Sequence, residues 1–447
     1  MPWYDNAVFY HIYPLGLCGC AHENTGAAEE HFAQLTEWAD HARALHCTAL
    51  YLGPLFASGS HGYDTWDYRT VDPRLGTNDD LRAFVAHCHA QGQRVILDAV
   101  FNHVGRQFFA FRDVCAHREA SRYAGWIAGL NFGGNNEYGD GLSYENWGGY
   151  NLLVRLNLQN PEVRRYHLET VRFWAEQFGI DGLRLDTADV LDFGFLRELR
   201  AFCDALKPEF WLMGEVIHGD YSRWANASML HSVTNYELHK ALWSGHNDHN
   251  YFEIAHSVRR LQGLCGGTRL YTFTDNHDVA RIASKLRCPA HFRLTALLQY
   301  TLPGIPSLYY GSEFALKAEK QRDTDWNLRP CLQLADFAGD AAAQAAAALF
   351  ARLGELKETL PALSWGDYRE LLLTNCQFAF ARTLDGAAIV TVLNCADTPA
   401  QLAMALPLAA CAAEDLVPAG ERIPVRIDGG RLIAELPPNS GTVLALH

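Results

Sequence analysis

Four acidic residues carry the chemistry that the chain must explain. Asp98, Asp186, Glu215 and Asp278 each stand at or just past the end of a short apolar run. About 30 residues separate Asp186 from Glu215, and about 60 separate Glu215 from Asp278, close to one and two strand–helix units of a barrel. On parallel neighbouring strands such carboxylates face one pocket, because barrel enzymes gather their reacting groups at C-terminal strand ends. Three uses suit the cluster. Glycosidic cleavage needs a proton donor on the leaving oxygen and negative charge at the anomeric carbon. A metal ion needs several carboxylate oxygens. Structural ion pairs need only partners. Arg184 bears on the choice. It lies two residues before Asp186, so both side chains leave one face of a strand. Its guanidinium lowers the pKa of a neighbouring carboxylate, keeps it ionised as a nucleophile and disfavours a second cation. A plain ion pair gives the same spacing.

The elements that must hold these residues are legible as alternating apolar runs and amphipathic segments. Eight runs read as buried strands: Phe9–Tyr13, Ala49–Leu52, Val95–Asp98, Leu183–Asp186, Trp211–Glu215, Leu230–Tyr236, Tyr271–Phe273 and Ser307–Tyr310. Near-continuous apolar strands mean burial on both faces, as in a parallel sheet. Leu81, Phe84, Val85 and Cys88 recur at helical spacing behind Thr77-Asn78 and an acidic first turn, and Leu191, Phe195, Leu199 and Phe202 repeat the pattern. Eight such units predict an α/β fold, a (β/α)8 TIM barrel. The stretch from Phe101 to Tyr150, rich in Gly, Asn and aromatics, is too long for a loop and reads as a subdomain inserted after strand 3. Hairpin signals at Asp385-Gly386 and Asp428-Gly429-Gly430 predict a C-terminal antiparallel β domain, a sandwich. The expected division is 1–103 and 151–362 for the barrel, 104–150 for the insert, and 363–447 for the tail.

Composition bounds the partners. The 447 residues carry 37 Lys+Arg against 51 Asp+Glu, a formal charge of −14, which argues against nucleic acid and anionic membrane. A hydrophobic share of 49% belongs to a folded chain with a large core. Twelve cysteines are too few and too scattered for a disulfide scaffold, and Cys18-Gly19-Cys20 is followed by no zinc-type spacing. Free thiols and the lack of a leader at Met1-Pro2-Trp3 point to the cytoplasm, and no apolar run is long enough to span a membrane.

With these residues in place, the chain resembles the α-amylase family of glycoside hydrolases over nearly its whole length. Asp98-Ala99-Val100-Phe101-Asn102-His103 is similar to the family's third-strand motif, Gly182-Leu183-Arg184-Leu185-Asp186 to the fourth, Gly214-Glu215-Val216 to the fifth, and Asn276-His277-Asp278 to the seventh. Gly62-Tyr63-Asp64 and Gly304-Ile305-Pro306 through Glu313 add support. The resemblance implies a retaining double displacement. Asp186 would be the nucleophile and Glu215 the acid and then base, its pKa raised by burial and negative neighbours. Asp278 would bind the reacting sugar's hydroxyls, with Asp98 and Arg184 in the same substrate site, His103 and His277 donating to that sugar, and Tyr63 stacking beneath it.

Departures from the pattern narrow the substrate. The Lys-His pair with which endo-amylases usually follow the nucleophile is here Asp189-Val190. The segment around Asn157, and the Asp325/Arg329 pair that would grip the next sugar, resemble the neopullulanase and cyclomaltodextrinase group. Thr187 after the nucleophile resembles α-1,4-acting members. The expected activity is hydrolysis of short linear, cyclic or branched malto-oligosaccharides, with transglycosylation or α-1,6 cleavage as the alternative and a non-catalytic binding role as a remote one. The partner is an oligosaccharide. No metal and no cofactor is expected. The resemblance raises only calcium, through Asn102, and the insert's Asp113 and Asp140 sit in no loop of ordered ligand spacing. The chain opens directly on the first strand, so pairing through the N-terminal β domain common in that group is not expected, and the sequence leaves the oligomeric state open.

Overall fold

The computed structural model describes residues 2–420 and 422–447. Its centre is an eight-stranded parallel sheet. The strands are β1 Phe9–Ile12, β2 Ala49–Leu52, β3 Arg94–Ala99, β4 Gly182–Leu185, β5 Trp211–Gly214, β6 Ser232–Val233, β7 Tyr271–Phe273 and β8 Ile305–Tyr309. They run in the order β6-β5-β4-β3-β2-β1-β8-β7, and a parallel bridge between Thr234 and Tyr271 joins the two ends into a barrel. The eight strands fall on the eight apolar runs.

Two layers fill the barrel. Phe9, Ile96, Trp211, Met213 and Tyr271 form an apolar floor, with the Phe9 and Trp211 rings stacked 4.8 Å apart. Above it lies a polar layer. Arg184 pairs in register with Asp98 on one side and Met213 on the other. Tyr51 donates to Asp98 Oδ2 at 2.8 Å and stacks on His11.

The helices follow the local signals. Those of more than ten residues are α1 Phe32–Ala44, α2 Asn78–Ala90, α3 Pro161–Phe178, α4 Phe193–Leu206, α5 Tyr236–Asn247, α6 Tyr251–Cys265, α7 His291–Thr301 and α8 Ala341–Thr359. Thr77 and Asp80 close a reciprocal capping box on α2. Helix α4 starts later than its apolar spacing predicts. Asp192 caps it, which leaves Leu191 outside, and the buried stripe is Phe195, Leu196, Leu199 and Cys203, with Phe202 only half-buried. One unit lacks its helix: between β5 and β6 there is a single 3-10 turn, Tyr221–Arg223. Asp220 and Asn226 there accept from the backbone of Ser222 and Ser228, and such local bonds compete with a helix.

The insert is built on a small antiparallel sheet in which His103–Gly105 pairs with Tyr150–Arg155, and the latter with Asn146–Trp147. This sheet runs on to Arg155, past residue 150. Arg106 pins the insert by a two-pronged pair to Asp140 at 2.8 Å, with its guanidinium 3.7 Å from the centre of the Tyr138 ring.

The tail has a five-stranded sheet facing a three-stranded one. Val390, Val392, Leu402, Leu432 and Leu444 pack between them. Asp385 and Gly386 join two strands with both φ angles positive, +47° and +83°, as a two-residue hairpin requires. Among the described residues no helix is long and apolar enough to cross a membrane.

Candidate active site

Backbone register places the acids. Asp186 N donates to Ala99 O at 3.1 Å and Glu215 N to Leu185 O at 2.9 Å, so each residue continues the ladder one step beyond its strand. Their side chains open into a cavity of about 670 Å³ at the C-terminal mouth of the barrel. Asp278, His103 and Tyr63 share its wall, as do Asp325 and Arg329.

Arg184 organises the centre. Its Nη1 lies 2.8 Å from Asp98 Oδ1 and 2.9 Å from Asp186 Oδ1, and its Nη2 lies 2.8 Å from Glu215 Oε2. One guanidinium thus serves three carboxylates. The electrostatics differ here from the sequence expectation. Burial pushes the Asp186 carboxyl well above the usual carboxylate range; Arg184 opposes this, and the charges of Glu215 and Asp98 add to the rise. Burial is the main cause, and Arg184, shared among three carboxylates, does not offset it.

Asp278 is held the other way. Against the pull of burial, His277 and Arg329 keep its carboxyl well below the usual range. His277 Nε2 lies 3.0 Å from Asp278 Oδ2, and Arg329 Nη2 lies 2.9 Å from Oδ1. Arg329 also donates from Nε to His277 O at 3.1 Å. Its approach to Asp325 is looser, at 3.8 Å, so its main partner is Asp278. Asp325 pairs with Lys320 Nζ at 3.3 Å.

Three residues expected to touch sugar lie beneath the cavity floor. Asp98, Arg184 and His277 are buried at 3%, 2% and 1% exposure. The alternation that puts Arg184 on the face of Asp186 also sets it one layer deeper, and Asp98 is its cross-strand neighbour. These residues position others. Tyr63 Oη bridges downward to Asp98 Oδ2 at 3.1 Å and sideways to His277 Nε2 at 2.5 Å, which fixes its ring at the cavity wall. His103 Nε2 is buried, lies 4.0 Å from Asp186 Oδ2 and has no hydrogen-bond partner. Burial pushes the His103 imidazole down to about 3, so it is neutral at physiological pH.

Two parts of the site escaped the sequence reading, Tyr236 and the Lys320–Thr324 segment. Tyr236 Oη lies 3.3 Å from Glu215 Oε1 and accepts from Asn276 Nδ2 at 3.2 Å. Its position at the end of the sixth run was the available signal. Thr187 adopts a left-handed backbone, φ +47°, rare for a β-branched residue, and aims its N–H at Glu215 Oε2 at 3.2 Å. Trp147 lies parallel to His103, ring centres 6.2 Å apart. The Lys320–Thr324 segment closes one side of the cavity and carried no motif.

A barrel that presents two adjoining carboxylates on one guanidinium, with a third anchored across the cavity, is built as a sugar-cleaving enzyme of the glycosidase class. The α-amylase catalytic-domain family matches residues 31–344, and the chain belongs to that family of glycoside hydrolases. It is 34% identical to neopullulanase 2 of Thermoactinomyces vulgaris over 72% of this chain and 58% of that one. It is 30% identical to a cyclomaltodextrinase of a Bacillus species over 88% of this chain and 73% of that one. The debranching enzyme of Nostoc punctiforme superposes over 99% of both chains with a TM-score of 0.83 at 27% identity.

Proposed function

We propose that the chain is a retaining α-glucan hydrolase acting mainly on α-1,4 bonds of short linear, cyclic or branched malto-oligosaccharides. The observation that carries this is the shared guanidinium of Arg184, which holds Asp186 and Glu215 side by side at the cavity floor. Retaining pairs stand about 5–5.5 Å apart, and a common guanidinium favours that separation over the wider one needed to admit a water. With substrate bound, Glu215 as general acid gives a proton to the leaving oxygen and Asp186 attacks the anomeric carbon. Glu215 then takes a proton from water, which attacks the glycosyl–enzyme and frees Asp186. The ionised Asp278 and the neutral His103 bind hydroxyls of the distorted sugar.

The relatives support the substrate class through their names, neopullulanase and cyclomaltodextrinase. Asp325 and Lys320 on the far wall suit the hydroxyls of a second sugar. A reducing compartment is supported by twelve cysteines that are all free. A second reading, glucan rearrangement, draws on Ile217. Exposed at 40%, it lies on the cavity wall two residues past Glu215 and favours an incoming sugar over water there. Longer products at high maltotriose concentration would select that reading.

The test is Glu215→Gln with maltotriose. Turnover should be abolished while maltotriose binding by calorimetry stays nearly intact, and wild-type product should appear first as the α anomer by NMR. Near-wild-type turnover in the variant, or first-formed β anomer, would overturn the assignment.

A further inference from the structure

None of the residues of a second cluster lines the sugar cavity. His249, Cys376 and Cys395 each offer one ligand-type atom, and these atoms all lie within 4.8 Å of one another. His249 sits in the turn between α5 and α6, with a left-handed backbone at φ +49°. Cys376 and Cys395 come from the tail. They flank the facing ends of strands Gln377–Leu384 and Ala387–Asn394, where Cys395 N donates to Cys376 O at 2.8 Å. Nearby, Tyr251 N donates to Asn375 O at 2.8 Å and fixes the start of α6 against the same strand end. Cys395 is buried, and the other two are half-buried.

A fourth donor stands beside them. His291, the first residue of α7, has its ring centre 5.5 Å from that of His249. Its Nε2 is engaged by Asn439 Oδ1 at 2.8 Å, while its Nδ1 is buried without a hydrogen-bond partner. The His291 residue is 1% exposed.

Two thiolates and an imidazole are zinc-type ligands, and the two thiolates offset the charge of a divalent ion at a partly dry seam. Zn–S bonds of ~2.3 Å and Zn–N bonds of ~2.0–2.1 Å put tetrahedral ligand atoms roughly 3.5–3.8 Å apart. Closing from 4.8 Å takes about 1 Å of side-chain movement on that geometry. We propose that His249, Cys376 and Cys395 form a site for a thiophilic divalent ion, Zn²⁺ by class, with the fourth position on the side of His291. Binding replaces two S–H bonds with two S–Zn bonds, and both protons leave to the buffer. One of them is the Cys376 thiol proton that points at His249 O. The ion ties the α5–α6 turn to two strands of the tail and so cross-links the barrel to the β domain.

A rival cluster, Cys20, Glu29 and His31, meets the same distance limit. It carries one thiol only. Cys20 Sγ already donates to Arg74 O at 3.2 Å, and His31 Nε2 is paired with Glu29 Oε2 at 2.7 Å. It supplies the control.

The experiment uses the full chain, reduced, stripped with chelator and desalted, with Co²⁺ and Zn²⁺ as probes. Wild type should retain about one Zn²⁺ per chain through gel filtration, as measured by elemental mass spectrometry. Co²⁺ should give a thiolate-to-metal charge-transfer band of two-thiolate intensity. Zn²⁺ should raise the unfolding temperature. His249→Gln and Cys376→Ser should each lose retention, band and thermal shift while keeping wild-type maltotriose hydrolysis, and Cys20→Ser should keep all of them. Where Cys376→Ser fails to fold, the half-buried His249→Gln carries the test. The proposal is overturned if wild type retains no stoichiometric Zn²⁺, if the band survives in His249→Gln, or if mass spectrometry of the protein as purified, before any reductant is added, shows Cys376 and Cys395 joined as a disulfide.

Discussion

Arg184→Lys keeps the positive charge and removes the fork, so it isolates what the sharing does. In the wild type, Nη1 reaches Asp98 and Asp186 while Nη2 reaches Glu215, at 2.8–2.9 Å. An ammonium is a single nitrogen and cannot occupy both Nη positions. Either Asp186 or Glu215 loses its partner. A hydrogen bond to a charged group contributes about 1.5–3 kcal/mol. At 1.36 kcal/mol per tenfold, that is a drop of roughly 10- to 150-fold in kcat/KM. The pH profile should move as well. Arg184 draws the Asp186 carboxyl down against burial, so weakening it raises that carboxyl further. A nucleophile must be ionised, so activity is lost as pH falls through its pKa, and the acid limb should shift to higher pH. The assay is kcat/KM on maltotriose from about pH 4 to pH 8, spanning the carboxylate and histidine ranges, with circular dichroism to confirm folding. A variant that keeps wild-type kcat/KM and an unmoved acid limb would show that the three-way contact has no part in the chemistry.

Tyr236→Phe removes the hydroxyl at Glu215 Oε1 and should lower kcat roughly 2- to 12-fold with KM little changed, as read from initial rates. Asp325→Ala should raise KM for maltotriose and longer sugars more than for maltose, because Asp325 stands on the far wall; equal effects would remove it from the sugar site. Asp181, at the opposite end of the barrel, is pulled to about 2 against burial by His89, the Val95 amide and Lys207. A depressed carboxylate stabilises the fold above its unfolded pKa, and the gain is lost as pH falls toward the folded value. Asp181→Asn should cost about 2 kcal/mol in urea unfolding at pH 7, and the difference from wild type should shrink between about pH 4 and pH 2.

Strand positions were legible because the barrel strands are largely buried on both faces and so read as near-continuous apolar runs. The tail hairpins were legible because Asp385-Gly386 and Gly429-Gly430 are residues that tolerate the positive φ such turns impose. The acids were legible from their places at strand ends. What stayed hidden was depth. Spacing put Arg184 beside Asp186 but could not show how deeply Asp186 is buried or that Asp98 and Glu215 share the same guanidinium, and burial together with those neighbouring charges reverses the expected direction for Asp186. The resemblance set Asp325 and Arg329 together on the next sugar but could not show that Arg329 spends its fork on Asp278 and the His277 carbonyl. The Lys320–Thr324 segment reaches the cavity only through the folding of a long loop, and no local pattern encodes it. The His249–Cys376–Cys395 group draws on segments more than a hundred residues apart. No zinc-type spacing in the sequence could reveal it.

The charge balance of the site argues among the three uses that the acids first allowed. A metal centre would place its cation where the carboxylates converge, but that position is taken by Arg184, whose own charge repels a second ion. A structural cluster would bury all its members, yet Asp186, Glu215 and Asp278 border a cavity of about 670 Å³. Four carboxylates, Asp98 among them, face two guanidinium groups, Arg184 and Arg329. The carboxylates outnumber the guanidinium groups, so the site keeps a negative character beside a neutral substrate. Positive charge grows at the anomeric carbon as the glycosidic bond breaks, so a fixed negative site stabilises the transition state more than the bound sugar. The surplus of acid that says little as net charge becomes, at this one place, a selective force on the reaction.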